Sequence, residues 1–104
     1  MIAMEREQVL AILKANEPEL RASGVLSISL IGSVARRESP ARDIDVVVRL
    51  RENFSQPGFD YFTRLDNLER RLSEILGCKV DVIEEPVRKE RFQKEIDRDR
   101  ALAF

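Results

Sequence analysis

Two stretches of the sequence decide the fold: Val-Leu-Ser-Ile-Ser-Leu-Ile-Gly-Ser at residues 25–33, and Asp-Ile-Asp-Val-Val-Val-Arg at residues 43–49. Successive side chains of a strand point to opposite faces, so the apolar and polar alternation predicts strands from Val25 to Ile31 and from Asp43 to Arg49. The side chains predicted to share the buried face are Leu26, Ile28, Leu30, Ile44, Val46 and Val48. Asp43 and Asp45 then lie together on the opposite face.

The rest of the chain supplies helices and a third strand. Apolar residues at spacings of three and four predict a helix from Asp60 to Leu76, and Cys78 to Ile83 is predicted to be a strand. The first twenty residues predict a helix in which Pro18 either ends the helix or opens a second one, and Pro86 is predicted to start the last helix. The expected order is helix, strand, loop or short helix, strand, helix, strand, helix. We therefore predict one α/β domain of the α+β type over residues 1–104, a small mixed sheet with helices on one face and a polar face left open.

Three aspartates on the polar face form a candidate metal site. Asp43 and Asp45 are two residues apart, so in a strand their side chains point the same way with Cα atoms roughly 7 Å apart. Asp81 occupies the matching face of the third strand. Carboxylates held this close repel one another, and Mg²⁺ prefers oxygen ligands. The spacing therefore predicts that Asp43, Asp45 and Asp81 bind a pair of Mg²⁺ ions.

A glycine-serine turn and several arginines precede the paired acids. Gly32 and Ser33 follow the first strand, and antiparallel pairing of the first two strands would bring them beside Asp43. Glycine allows a phosphate to approach the backbone, and guanidinium groups suit bidentate phosphate contacts. Arg36, Arg37 and Arg42 place three guanidinium groups in this loop, with Arg36 and Arg42 as the candidate phosphate ligands, although arginines in such a loop are equally typical of a solvated surface. Acids, turn and arginines together predict a site for a magnesium nucleoside triphosphate.

The composition excludes several classes of site. The chain has no histidine, which excludes histidine zinc sites and imidazole as a general base. The single cysteine, Cys78, excludes an intramolecular disulfide and favours a cytoplasmic location. Eighteen basic residues against nineteen acidic ones leave a net charge of −1, without the basic excess typical of nucleic-acid binding. No apolar run approaches the roughly 20 residues of a membrane span, so we expect neither membrane nor nucleic acid as a partner.

The stretch from Ile31 to Val46 resembles the signature of the DNA polymerase β-like nucleotidyltransferase superfamily. In that signature an apolar residue and Gly-Ser are followed, after nine residues, by Asp-apolar-Asp-apolar, as they are here. The chain length and the later acid in Lys-Val-Asp-Val-Ile, residues 79–83, are most similar to the minimal nucleotidyltransferases, the MNT partners of HEPN proteins in prokaryotic toxin–antitoxin pairs. Two positions differ from the usual wording: Arg37 stands where glycine is common, and Arg42 where a serine often precedes the acids.

This resemblance implies an activity and a partner. Gly32 and Ser33 would hold the triphosphate of ATP, and the three aspartates would hold two Mg²⁺ ions, with Asp81 also orienting or deprotonating the incoming hydroxyl. The reaction would transfer AMP from ATP to a protein hydroxyl, on a HEPN toxin that this chain acts against as an antitoxin. The small size of the chain and the open sheet face predict a hetero-oligomer or a homodimer.

Two alternatives remain open on the sequence. The chain can instead be a binding module that neutralises a HEPN ribonuclease by masking it, with acids that are vestigial or that only bind nucleotide. It can also be a subunit of an antibiotic nucleotidyltransferase, which is disfavoured because 104 residues leave no evident second domain for a small-molecule acceptor.

Overall fold

The structure, a computed structural model, describes residues 5–36, 43–52 and 61–104. In chain order its elements are α1 (Arg6–Ala15), α2 (Glu17–Ala22), β1 (Val25–Ile31), α3 (Gly32–Ala35), β2 (Asp43–Leu50), α4 (Tyr61–Leu76), β3 (Lys79–Glu84), α5 (Glu90–Asp99) and β4 (Ala101–Leu102). This mixed α/β architecture confirms the predicted fold class, and β1 has the predicted bounds.

The four strands form one mixed sheet in the order β3-β2-β1-β4. β1 pairs antiparallel with β2, and Ile31 at the end of β1 lies opposite Asp45. β2 and β3 pair in parallel, with Ile44 opposite Val80. A parallel pair requires a crossover connection, and α4 lies within it. We expected Gly32 to lie beside the acids if β1 and β2 paired antiparallel, and this pairing is present.

One face of the sheet carries the main hydrophobic core. Its strand residues alternate along each strand, as the sequence predicts, and α1, α2 and α4 cover them. The buried members from these helices are Val9, Leu13, Leu20, Leu68, Leu72 and Leu76, and those from the three long strands include Ile28, Leu30, Ile44, Val46, Val48 and Val80. Burial of these side chains holds the central strands in register, because a slip of one residue would turn every side chain to the other face.

The opposite face is partly covered, which corrects the expectation that all helices pack on one face and leave the other open. Ile31 of β1, Val47 of β2 and Ile96 of α5 are buried together in a second apolar cluster. Ile83 and Phe92 pack against them. The acidic residues come first along β2, and Val47 follows them on the same face, so α5 covers only the apolar end.

The helix boundaries near prolines refine the prediction. Pro18 lies in the first turn of α2, so the second of the two predicted outcomes is present. The last helix was predicted to start at Pro86, but α5 begins at Glu90. Asp60, the predicted first residue of α4, lies outside the described residues. Within the described ranges, no helix combines the length and the apolar character that crossing a bilayer requires.

The structure differs from the prediction at two further places, the start of β1 and the end of the chain. The register with β2 shifts between Val25 and Ser27, so Leu26 leaves the alternation and is 47% exposed rather than part of the core. The short strand β4 was not predicted. It pairs antiparallel with β1, with Leu102 opposite Ser29, and forms one edge of the sheet.

Candidate active site

Three aspartates lie at the start of two neighbouring strands on the face that α5 partly covers. Asp43 and Asp45 are the first and third residues of β2, so their side chains share one face. Asp81 of β3 is the direct partner of Asp45 in the parallel ladder, and neighbouring strands are about 4.8 Å apart. The fold thus brings together on one face the three acids that the sequence singled out.

The surroundings of Asp45 disfavour its negative charge. Burial raises the pKa of Asp45 above its usual range, and the charges of Asp81 and Asp43 raise this pKa further. Lys79, the strand partner of Asp43, offsets part of that effect. An added positive charge at this place would relieve the repulsion.

The acidic region also reaches α4, which the sequence analysis did not foresee. Burial, followed by the charges of Asp81 and Asp66, raises the pKa of Glu69. One helical turn further on, the hydroxyl of Ser73 accepts a hydrogen bond of 3.2 Å from the backbone N–H of Val80. This contact fastens α4 along β3. Glu69 and Ser73 share one face of α4 through their i, i+4 spacing, but that this face meets β3 follows from the packing of α4 and not from the spacing.

Gly32 lies against the paired acids at the point where β1 ends and α3 begins. Its φ is +78°, in the region that L side chains rarely adopt. A Cβ added at this glycine would stand 3.2 Å from Oδ2 of Asp45. Glycine is therefore required at residue 32 for two reasons: the backbone conformation and the limited space beside the carboxylate of Asp45.

A cavity of about 290 Å³ opens beside these groups, between the end of β1 and α5. Its lining combines a polar part with an apolar part that belongs to the second cluster. The lining residues are Ile31, Gly32, Arg36, Asp45, Ile83, Phe92, Glu95, Ile96 and Asp99. The mixture of a glycine turn, carboxylates, one arginine and an apolar wall suits a ligand with both a charged and an apolar part.

Of the predicted phosphate ligands, the structure brings Gly32 and Arg36 to this cavity. Arg36 follows α3, and its Nη1 lies 3.1 Å from Oδ2 of Asp99 at the end of α5. Arg42 and the side chain of Ser33 lie outside the described residues. Phe92, Glu95 and Asp99 were not foreseen as cavity residues, because their place depends on how α5 packs on the sheet.

The chemistry of the three aspartates fits a divalent cation. Their oxygen atoms are the ligands that Mg²⁺ prefers. Burial, and then the charges of Asp81 and Asp43, raise the pKa of Asp45, and a bound cation would offset both effects. In residues 5–36, 43–52 and 61–104, no three acidic or cysteine side chains converge closely enough to hold an ion.

Comparison with known protein families gives one match that spans almost the whole chain. The model of the nucleotidyltransferase domain matches residues 6–103. This range contains the glycine-serine turn, the three aspartates and α5. None of the curated proteins matches the chain.

Solved structures show the same fold. A minimal nucleotidyltransferase superposes with a TM-score of 0.74 at 24% identity, covering 94% of this chain and 95% of that one. A chain of a toxin–antitoxin complex with AMP-PNP gives a TM-score of 0.61 at 17% identity, covering 97% and 73%. A chain of the complex between the tri-AMPylated HEPN toxin and the MNT antitoxin of Shewanella oneidensis gives 0.60 at 16% identity, covering 91% and 71%.

Proposed function

Since the chain belongs to the nucleotidyltransferase domain family, we propose that it catalyses the Mg²⁺-dependent transfer of AMP from ATP to a hydroxyl group of a protein. The observation that carries this proposal is the register of Asp45 opposite Asp81, with Gly32 packed against Asp45. It joins the carboxylates that would bind the cations to the turn that would bind the phosphates.

In this reaction the hydroxyl oxygen of the acceptor attacks the α-phosphorus of ATP. The bond from the α-phosphorus to the bridging oxygen breaks, and pyrophosphate leaves. Asp43 and Asp45 would hold two Mg²⁺ ions, with Asp81 as ligand to one of them. Bound Mg²⁺ neutralises charge on the phosphates during such transfers. Asp81 would also accept a hydrogen bond from the attacking hydroxyl and take up its proton as the new bond to phosphorus forms. The chain has no histidine for this role.

The phosphates would lie along the end of β1. Gly32 lets them approach the backbone, since any larger residue would place a Cβ there. Ser33 and the guanidinium groups of Arg36 and Arg42 supply donors for the β- and γ-phosphates. The apolar wall of the cavity, which includes Phe92, leaves room for the base or for part of the acceptor.

The proposed acceptor is a HEPN-domain protein, with which this chain forms a hetero-oligomer as its antitoxin in the cytoplasm. Support comes from the shared fold with chains of toxin–antitoxin complexes, one of them containing a tri-AMPylated HEPN toxin. Residues 1–104 then act as one nucleotidyltransferase domain that depends on its partner for the acceptor hydroxyl.

A label-transfer assay tests the proposal. The purified chain is incubated with Mg²⁺ and a lysate of its source organism, with ATP labelled at the α- or the γ-phosphate. The expected result is a protein band labelled from the α-phosphate only, lost on addition of EDTA. Asp43→Asn should abolish this band, whereas Asp66→Asn, the same change at an exposed position of α4, should retain it.

Other outcomes would contradict the proposal in distinct ways. Labelling from the γ-phosphate would mean phosphoryl transfer. A folded Asp43→Asn variant with full activity would remove the metal-binding role of Asp43. If no band forms and an Asp43→Asn, Asp45→Asn double variant still neutralises the HEPN ribonuclease, the chain acts by masking its partner.

A further inference from the structure

Arg36 and Asp99 join two parts of the chain that are far apart in sequence. Nη1 of Arg36, just after α3, lies 3.1 Å from Oδ2 of Asp99, the last residue of α5. The side chain of Asp99 is 15% exposed and that of Arg36 is 40% exposed. Both line the cavity that also contains Gly32 and Asp45. The ion pair therefore lies at the proposed nucleotide site, and α5 contributes one of its two residues.

The position of Asp99 is fixed from both sides. Ile96, one turn earlier, is buried in the cluster that α5 forms with the sheet. The backbone N–H of Arg100, the next residue, donates to the carbonyl of Ile96 at 2.8 Å, and Nη1 of Arg100 lies 3.0 Å from Oε1 of the buried Glu85. Asp99 thus projects from a helix end that apolar packing and a buried ion pair both hold.

Asp99 is also kept ionised. Nε and Nη2 of Arg98 donate to its two carboxylate oxygens at 3.1 and 3.3 Å. The hydrogen bond from Arg98, and then the one from Arg36, hold the pKa of Asp99 below its usual range. A fixed and charged acceptor is what is needed to restrain a long side chain such as arginine.

Restraint of the Arg36 side chain in the free protein favours ligand binding. An arginine side chain loses considerable rotamer freedom when it is immobilised, and this loss weakens binding unless it has occurred beforehand. The ion pair with Asp99 restricts the guanidinium to the cavity before any ligand arrives.

We propose that Asp99 is a positioning residue that holds Arg36 in place for the phosphates of the nucleotide. This inference rests on the proposed function, in which Arg36 is a phosphate ligand. It gives α5 a part in nucleotide binding although Asp99 itself repels phosphate.

The direction in which Asp99→Asn changes the affinity for Mg²⁺-ATP distinguishes a positioning role from a purely electrostatic one. Asp99→Asn removes a negative charge from a site for an anion, so electrostatics alone predicts tighter binding of Mg²⁺-ATP. Loss of positioning predicts weaker binding, by about three- to tenfold in Kd, which lies within the range of interaction energies measured for contacting residues. Isothermal titration calorimetry of the full chain with Mg²⁺-ATP measures this directly and needs no acceptor protein.

Two further variants complete the experiment. Glu90→Gln removes a negative charge from the same helix at a side chain that is 86% exposed and does not line the cavity, so it should leave binding unchanged. In an Arg36→Ala background, Asp99→Asn should have no further weakening effect. Thermal unfolding of each variant verifies that the fold is retained.

Each outcome decides the inference. Unchanged or tighter binding by Asp99→Asn, or equal weakening with and without Arg36, would overturn the positioning role while the proposed function stands. If the wild-type chain, with and without its acceptor, neither binds Mg²⁺-ATP nor transfers AMP, the proposed function fails first. Restored binding in Asp99→Glu would support the role, since this variant retains the charge that pairs with Arg36.

Discussion

Gly32 and Asp45 face each other where β1 passes into α3, and a Cβ on Gly32 would stand 3.2 Å from Oδ2 of Asp45. Contacts of 3.0–3.4 Å are tighter than nine in ten of those made by real Cβ atoms. The carboxylate of Asp45 is therefore confined by the glycine-serine turn that follows β1. Any side chain at residue 32 would act on both halves of the proposed site.

Gly32→Ala should reduce both stability and nucleotidyl transfer. A φ of +78° costs an L residue roughly 1–2 kcal/mol, which for a domain of about 100 residues lowers Tm by several degrees. The added methyl group would also push Asp45 away by a few tenths of an ångström, and misplacement of groups at a site lowers turnover by up to about 10²-fold. Thermal unfolding and the label-transfer assay measure the two effects separately.

Gly77→Ala is the matched control. Gly77 ends α4 with a similar φ of +71°, but a Cβ there would meet nothing within 4 Å. It should lose the same stability and keep its activity below its Tm. If Gly77→Ala were as inactive as Gly32→Ala, the loss would come from unfolding rather than from the site.

Asp45→Asn should raise Tm in the absence of metal while abolishing transfer. The pKa of Asp45 is raised by burial and by Asp81 and Asp43, so above this pKa its negative charge destabilises the folded state. An amide of the same shape removes the repulsion, and we expect a gain of a few degrees near pH 7. Calorimetry in EDTA measures it, and adding Mg²⁺ should then stabilise the wild type more than the variant. A lower Tm for a folded Asp45→Asn in EDTA would contradict this account.

Glu85 links stability to pH. Burial tends to raise the pKa of Glu85, but hydrogen bonds from Arg100 and Gln93 outweigh this and lower it below the usual value. A lowered pKa in the folded state means that the ionised carboxylate contributes stability above the unfolded pKa, and that this stability is lost as pH falls through the folded pKa. Glu85→Gln should therefore cost about 1–3 kcal/mol at pH 7 and much less in acid.

Urea unfolding between about pH 7 and pH 3 tests this difference. Glu90→Gln is the control, because the side chain of Glu90 is 86% exposed and its ion pair with Lys94 spans 3.7 Å. An exposed pair of this kind contributes at most about 1 kcal/mol. A pH-independent difference between Glu85→Gln and the wild type would show that the charge of Glu85 is not the cause.

Ile96 tests the covering of the second sheet face. Its side chain is 2% exposed, so Ile96→Ala should reduce the free energy of unfolding by about 2–5 kcal/mol. Leu102→Ala, at a side chain 63% exposed, should change it by less than about 0.5 kcal/mol. Equal effects of the two substitutions would mean that α5 does not pack on the sheet in solution.

The central strands could be predicted because their pattern is strict. Ile28, Leu30, Ile44 and Val46 alternate with serines or aspartates, and this parity continues to Val48. Burial of the face that they share sets the register. The face of the three aspartates follows from the same parity. The prediction that Leu26 is buried was wrong because the register of β1 with β2 shifts at this residue. Such a shift depends on the partner strand and cannot be recognised in the apolar and polar alternation of β1.

The position of α5 could have been read in part from the sequence. Ile31, Val47 and Ile83 occupy the acid-bearing face further along their strands, and an apolar cluster of this size implies a covering element. The start of α5 at Glu90 and the two residues of β4 offered no comparable signal, because two residues show no period. The partnership of Arg36 with Asp99 depends on the packed position of α5, which no spacing in the sequence encodes.

The parallel pairing of β2 with β3 determines when, along the chain, the three acids can come together. The β1–β2 hairpin brings Gly32 to Asp45, but Asp81 joins them only after α4 has crossed the sheet and β3 has docked against β2. A nascent chain that has emerged from the ribosome as far as Leu50 therefore holds two of the three acids and no complete site. Docking of β3 against β2 is therefore what completes the set of three acids on one face of the sheet.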